Sequence, residues 1–125
     1  MAVIGFNHYN LRVSRDMMEQ LKVFYRDVVG LQIGDRPQLT SFGYWLYVGS
    51  KDVLHLSEAK AEEKRKENVA TTFDHVAFTA TDYDATTVRL EKLGIKFRTR
   101  EISDAGQKQI FFRDPAGNGI ELNFS

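Results

Sequence analysis

The chain of 125 residues contains no cysteine. That absence removes a disulfide framework, a thiolate nucleophile and any zinc site of the cysteine-rich structural type, so a bound metal must be held by nitrogen and oxygen. Net charge is missing too: seventeen Lys and Arg balance seventeen Asp and Glu, which takes away the electrostatic footprint of a nucleic-acid binder. No apolar run approaches the roughly 20 residues needed to span a bilayer. The stretch Met1 to Asn7 also lacks the basic start and long apolar segment of a secretory leader. The expectation is a cytoplasmic protein with no membrane and no nucleic-acid partner. The length fits a single domain, and nine Phe, five Tyr and one Trp supply bulk for its core.

What is present is a repeat. The three histidines of the chain and one glutamate recur with a common period: His8 lies 47 residues before His55, and His75 lies 46 residues before Glu121. The local words match, Phe6-Asn7-His8 with Phe73-Asp74-His75 and Leu54-His55-Leu56 with Ile120-Glu121-Leu122, at offsets of 67 and 66 residues. Self-similarity of this kind marks supersecondary units that need a partner to bury a face.

Each half reads βαβββ. In the first, Phe6 to Val13 alternates like a strand, Ser14 is placed to cap a helix, and apolar residues recur at helical spacing from Asp16 to Val29 before Gly30 stops it. Strands are expected at Leu31 to Gly34, Tyr44 to Val48 and Val53 to Ser57, with a turn over Gly49 to Asp52. Residues 58–71, highly charged at first and without an apolar stripe, read as a solvated linker. The second half repeats the plan: a strand over Phe73 to Thr79, a helix from Tyr83 to Leu93 closed by Gly94, and strands near Ile95 to Ile102, Lys108 to Phe112 and Gly119 to Phe124. A turn at Asp114-Pro115-Ala116-Gly117-Asn118 joins the last two. The predicted fold is α+β: tandem modules 1–57 and 72–125 in a single domain 1–125, contributing eight strands to a curved mixed sheet able to wrap a cavity.

Strand alternation then sorts the donors. His8 shares a face with Asn10 and Arg12, His55 with Ser57, His75 with Ala77 and Thr79, and Glu121 with Asn123, while the apolar neighbours take the opposite faces. A lone strand histidine is ordinarily a half-buried side chain, yet all three here occupy repeat-equivalent places. Three imidazoles and a carboxylate suit Ni, Zn, Co, Mn or Fe. In an octahedral site four such ligands leave two positions for water or a chelating substrate, whereas a tetrahedral zinc would be closed. Arg12 and Asn10, on the His8 face, and Arg98, alternating with Lys96 and Arg100, are candidate substrate contacts, the arginines for an anion.

These residues resemble the vicinal oxygen chelate superfamily, which includes glyoxalase I, bleomycin and fosfomycin resistance proteins, methylmalonyl-CoA epimerase and extradiol dioxygenases. The resemblance covers nearly the whole chain. It is carried by His8 with Leu11 and Val13, by Phe24-Tyr25-Arg26-Asp27-Val28-Val29-Gly30-Leu31, by Asp74-His75-Val76-Ala77-Phe78, and by Arg113-Asp114-Pro115-Ala116-Gly117-Asn118-Gly119-Ile120-Glu121-Leu122. It implies paired modules forming an open cup, a homodimer, and one divalent metal held from the first and last strands of each module, where His8, His55, His75 and Glu121 fall. His55 departs from the pattern, since glyoxalase I more often has glutamate there and the epimerases glutamine.

The reaction implied is a lyase or isomerase step on a small oxygenated substrate, in which a base takes a proton beside a carbonyl and the metal stabilises an enediolate. Glu121 would be both ligand and base. The alternatives are a fosfomycin-type thiol transferase, an extradiol dioxygenase, disfavoured because His55 fills a position that catechol and oxygen need, and a metal-free, bleomycin-resistance-like binding protein.

Overall fold

The computed structural model describes residues 2–102, 104 and 106–125. Two compact units, Met1–Lys66 and Glu67–Ser125, divide the chain within the charged stretch between the repeats.

In the first unit the order is β1 (Tyr9–Val13), α1 (Arg15–Phe24), β2 (Gln32–Gly34), β3 (Gly43–Val48) and β4 (Lys51–Glu58). Ser14 caps α1 as the sequence predicts, its hydroxyl accepting from the Met17 amide at 3.3 Å. The helix expected to reach Val29 changes character at Tyr25: residues Tyr25–Val29 form one π-helical turn. Gly30, at φ 98°, ends it in the left-handed region open to glycine. The strands pair in the order β1-β4-β3-β2, with β1 parallel to β4 and the other pairs antiparallel. Helix α1 packs on β1 and β4, where Met18, Leu21, Leu46, Leu54 and Leu56 are wholly buried. The apolar phase of the strands therefore turns toward the helix, and the opposite phase carries His55, Ser57, Asn10 and Trp45 on adjacent strands.

The second unit repeats this with β5 (His75–Thr79), α2 (Tyr83–Lys92), β6 (Arg98–Ile102), β7 (Gln107–Arg113) and β8 (Gly119–Phe124). Its sheet order is β5-β8-β7-β6, again with one parallel pair, β5 with β8. The eight strands thus hydrogen-bond as two mixed sheets of four. The Asp114–Asn118 turn is held by the Asp114 carboxylate, which accepts from the amides of Ala116 and Asn118 at 2.9 Å each. Strand β6 begins at Arg98, three residues later than the alternation suggested, and Ile95 to Phe97 line a cavity beside the sheet.

The charged stretch is partly anchored. The Ala59 amide bonds the Val13 carbonyl at 2.7 Å, and Glu63 binds Arg12 through both carboxylate oxygens.

Candidate functional site

The two repeats place their donors in the same register. In the first sheet His55 lies opposite Asn10, two residues after His8; in the second Glu121 lies opposite Ala77, two residues after His75. His8 itself stands one residue before β1, and His75 is the first residue of β5. Alternation keeps each pair on one face and diagonally adjacent across a parallel strand pair. Gly119, opposite His75, is required for the second diagonal, since a β-carbon there would collide with the Asp74 carbonyl and with Cβ of His75.

In the second unit His75 Nε2 stands 3.0 Å from Glu121 Oε1. His75 Nδ1 donates to Asp74 Oδ2 at 2.8 Å. Carboxylate oxygens therefore face both ring nitrogens, so the Nε2 contact is satisfied by a proton on the ring or by a cation held jointly with Glu121. Two ligands about 2.1 Å from one ion, at a right angle, stand about 3.0 Å apart. The pair has that spacing.

The first-unit pair is arranged differently. The His8 and His55 rings stack with centroids 3.6 Å apart and planes within 16°, and the Trp45 indole covers His55 at 4.0 Å. His55 Nε2 donates to Asp52 Oδ2 at 2.7 Å, and His8 Nδ1 to Asn7 Oδ1 at 2.7 Å. Each histidine thus commits one ring nitrogen to a neighbouring oxygen, which sets the tautomer and leaves the lone pair on the other, the usual support of a metal-binding imidazole. Stacked rings hold their in-plane lone pairs side by side, so joint coordination requires a tilt. His8, exposed and outside the strand, has that freedom. Partial desolvation under the stacked rings, then repulsion from His55, holds the His8 imidazole below its ordinary pKa, favouring the neutral, ligating form.

Asp52 reaches His55 through a break in regular pairing. Three residues apart in a strand, the two would point to opposite faces; a register shift at Leu46/Tyr47 matches Tyr47 to Asp52 while Leu46 matches Leu54, leaving Val53 over. The bulge turns Asp52 onto the His55 face. The His55 hydrogen bond holds the Asp52 carboxyl below its usual range, as the His75 bond does for Asp74.

Glu121 is buried, and its second oxygen is occupied. Asn123 Nδ2 donates to Oε2 at 2.6 Å and Gln109 Nε2 at 3.1 Å. Of the expected substrate contacts, Asn10 accepts from the Ser57 hydroxyl at 2.8 Å, and Arg12 is engaged by Glu63, whose carboxyl the guanidinium pulls down to about 2. Arg98 lies over the Phe111 ring at 4.2 Å from its centroid, and Phe111 meets His75 edge-on at 6.3 Å. Both help line a cavity of 590 Å³ with His75, Lys96, Arg113 and Ile120, a volume in the range of small-molecule pockets. Sequence reasoning missed Asn7, Asp52, Asp74, Gln109 and Asn123. The word shared by Asn7-His8 and Asp74-His75 held a signal for two of them; the others depend on pairing across strands.

Fold and site together define an α+β protein of two βαβββ units, each carrying two His or Glu side chains on one sheet face. The chain belongs to the Glyoxalase/Bleomycin resistance protein/Dioxygenase superfamily, whose family model matches residues 5–122. Among similar solved structures are a lactoylglutathione lyase from Agrobacterium tumefaciens (24% identity, TM-score 0.69, 100% of this chain and 96% of that one) and a glyoxalase family protein from Enterococcus faecalis (24%, 0.68, 98% and 99%). An integron cassette protein from V. cholerae is similar at 21% identity, TM-score 0.71, over 99% and 97%. Members of the superfamily often bind a divalent metal. Among the described residues no three His, Asp or Glu converge as a metal cluster, and no helix is long and apolar enough to cross a membrane.

Proposed function

We propose that the protein is a divalent-metal-dependent lyase or isomerase of glyoxalase type, acting as a homodimer on a small oxygenated substrate, with His8, His55, His75 and Glu121 as ligands. The observation that carries this is the 3.0 Å approach of His75 Nε2 to Glu121 Oε1, a nitrogen and an oxygen at the separation of adjacent ligands, with each histidine braced by a side-chain oxygen. The donor set fits Ni, Zn, Co, Mn or Fe. When bound, the ion supplies Lewis acidity to the negative charge that develops on the substrate's vicinal oxygens. Glu121 removes the proton from the carbon beside the carbonyl and returns it to the neighbouring carbon, so that substrate and product differ only in the placing of hydrogen. Arg98, Lys96 and Arg113 at the cavity beside His75 hold an anionic portion of the substrate, while Phe111 walls its apolar part. The edge strands left by each four-stranded sheet, β1 and β2, β5 and β6, are the kind of surface that subunit pairing covers.

The test joins metal analysis of protein purified without chelator to an assay on the hemithioacetal of methylglyoxal and glutathione. The expected result is one titratable divalent ion per site and an activity lost in Glu121→Gln. Absence of any bound or titratable ion would overturn the enzyme reading and favour metal-free ligand binding, for which the Trp45–His55–His8 stack is a ready aromatic platform.

A further inference from the structure

We infer that Gln109 is a positioning residue for Glu121: with Asn123 it fixes the carboxylate so that Oε1 alone is presented beside His75. The inference rests on the reading of Glu121 as donor and base. Gln109 lies on β7, opposite Asn123 and two pairs along from the Phe111–Glu121 match, so it shares the Glu121 face. Its Nε2 donates to Glu121 Oε2 at 3.1 Å and to Asn123 Oδ1 at 3.0 Å. Asn123 Nδ2 gives Oε2 a second bond at 2.6 Å. The orientation of the Gln109 amide is dictated from outside, because Arg100 Nε, which can only donate, binds its Oε1 at 2.8 Å. The amide nitrogen must therefore face the carboxylate. Two donors on Oε2 leave Oε1, 3.0 Å from His75 Nε2, as the oxygen free for coordination or proton transfer, and a chelating pose of both oxygens would cost two hydrogen bonds within a buried network.

The first unit argues that this clamp serves the carboxylate and is no fixture of the fold. There the matching pair is Gly43 opposite Ser57, two residues after His55. Ser57 turns its hydroxyl to Asn10, and His55 is held by Asp52 and by stacking. An imidazole has one free lone pair to aim; a carboxylate has two equivalent oxygens and needs one taken.

The experiment uses Gln109→Leu, with Asn123→Ala as the second variant should the first fail to fold, both checked by circular dichroism and thermal melting. In metal-free, 15N-labelled protein the His75 Nε2 signal should leave its wild-type position toward that of Glu121→Gln. On Co²⁺ addition the variant should bind about 10- to 100-fold more weakly, the range for lost support of a ligand, with an altered visible spectrum. A folded variant whose His75 signal stays at the wild-type position overturns the inference. So does wild-type Co²⁺ affinity and spectrum in that variant. If wild type takes up no Co²⁺, and His75→Ala changes nothing, the metal reading fails, and the His75 signal still decides whether Gln109 positions Glu121.

Discussion

Replacing Asp52 by alanine tests whether His55 is a metal ligand. The structure gives His55 three constraints, the Asp52 hydrogen bond at 2.7 Å and the rings of His8 and Trp45 on either side. Only the first engages a ring nitrogen. If His55 coordinates through Nδ1, Asp52→Ala loosens the tautomer and aim of the ligand, and lost partners of this type weaken metal binding about 10- to 100-fold. The Asp52 side chain is 27% exposed, and water competing for Nε2 sets the expectation near the low end, about tenfold. Asp74, bonded to His75 in the same way, is 87% exposed, so Asp74→Ala should cost less. Trp45 is the single tryptophan and stacks on His55 at 4.0 Å, so Ni²⁺ titration read by its fluorescence reports on this ligand, with calorimetry as the check. The reasoning is refuted if Asp52→Ala binds Ni²⁺ as tightly as wild type or tighter. It is also refuted if Asp74→Ala proves the more damaging substitution.

Two further outcomes follow from the packing and charge of the first unit. The Glu63 carboxyl is depressed from 4.5 to about 2 by Arg12, so its contribution to stability is complete above about 4.5 and is lost as pH falls through about 2. The melting-temperature gap between wild type and Glu63→Gln should therefore be constant from neutral pH down to about 5 and close near 2; a gap that widens in acid would contradict the pairing. Leu54, wholly buried at the centre of β4, should cost about 2–5 kcal/mol on substitution by alanine, measured by urea unfolding. A loss under about 1 kcal/mol would show that α1 does not close over this strand.

Much of the fold was legible because its signals are local. Ser14 and Gly30 mark the ends of a helical segment, the Asp114–Asn118 turn carries its own capping carboxylate, and period-two alternation separates the faces of β4 and β8. The π-helical turn at Tyr25–Val29 was hidden, since the apolar spacing across it still reads as helical. The solvated reading of residues 58–71 overlooked Glu63, whose partner lies 51 residues away.

The duplication of His8, His55, His75 and Glu121 and the strand faces they share were readable along the chain, because a repeat period and a strand's alternation are written along one dimension. Tertiary structure alone decided what surrounds them. The bulge that leaves Val53 over brings Asp52 to His55, the β7–β8 register brings Gln109 to Glu121, and stacking sets His55 between His8 and Trp45. Pairing register arises from turns and bulges acting between strands, and no periodicity within a strand records it.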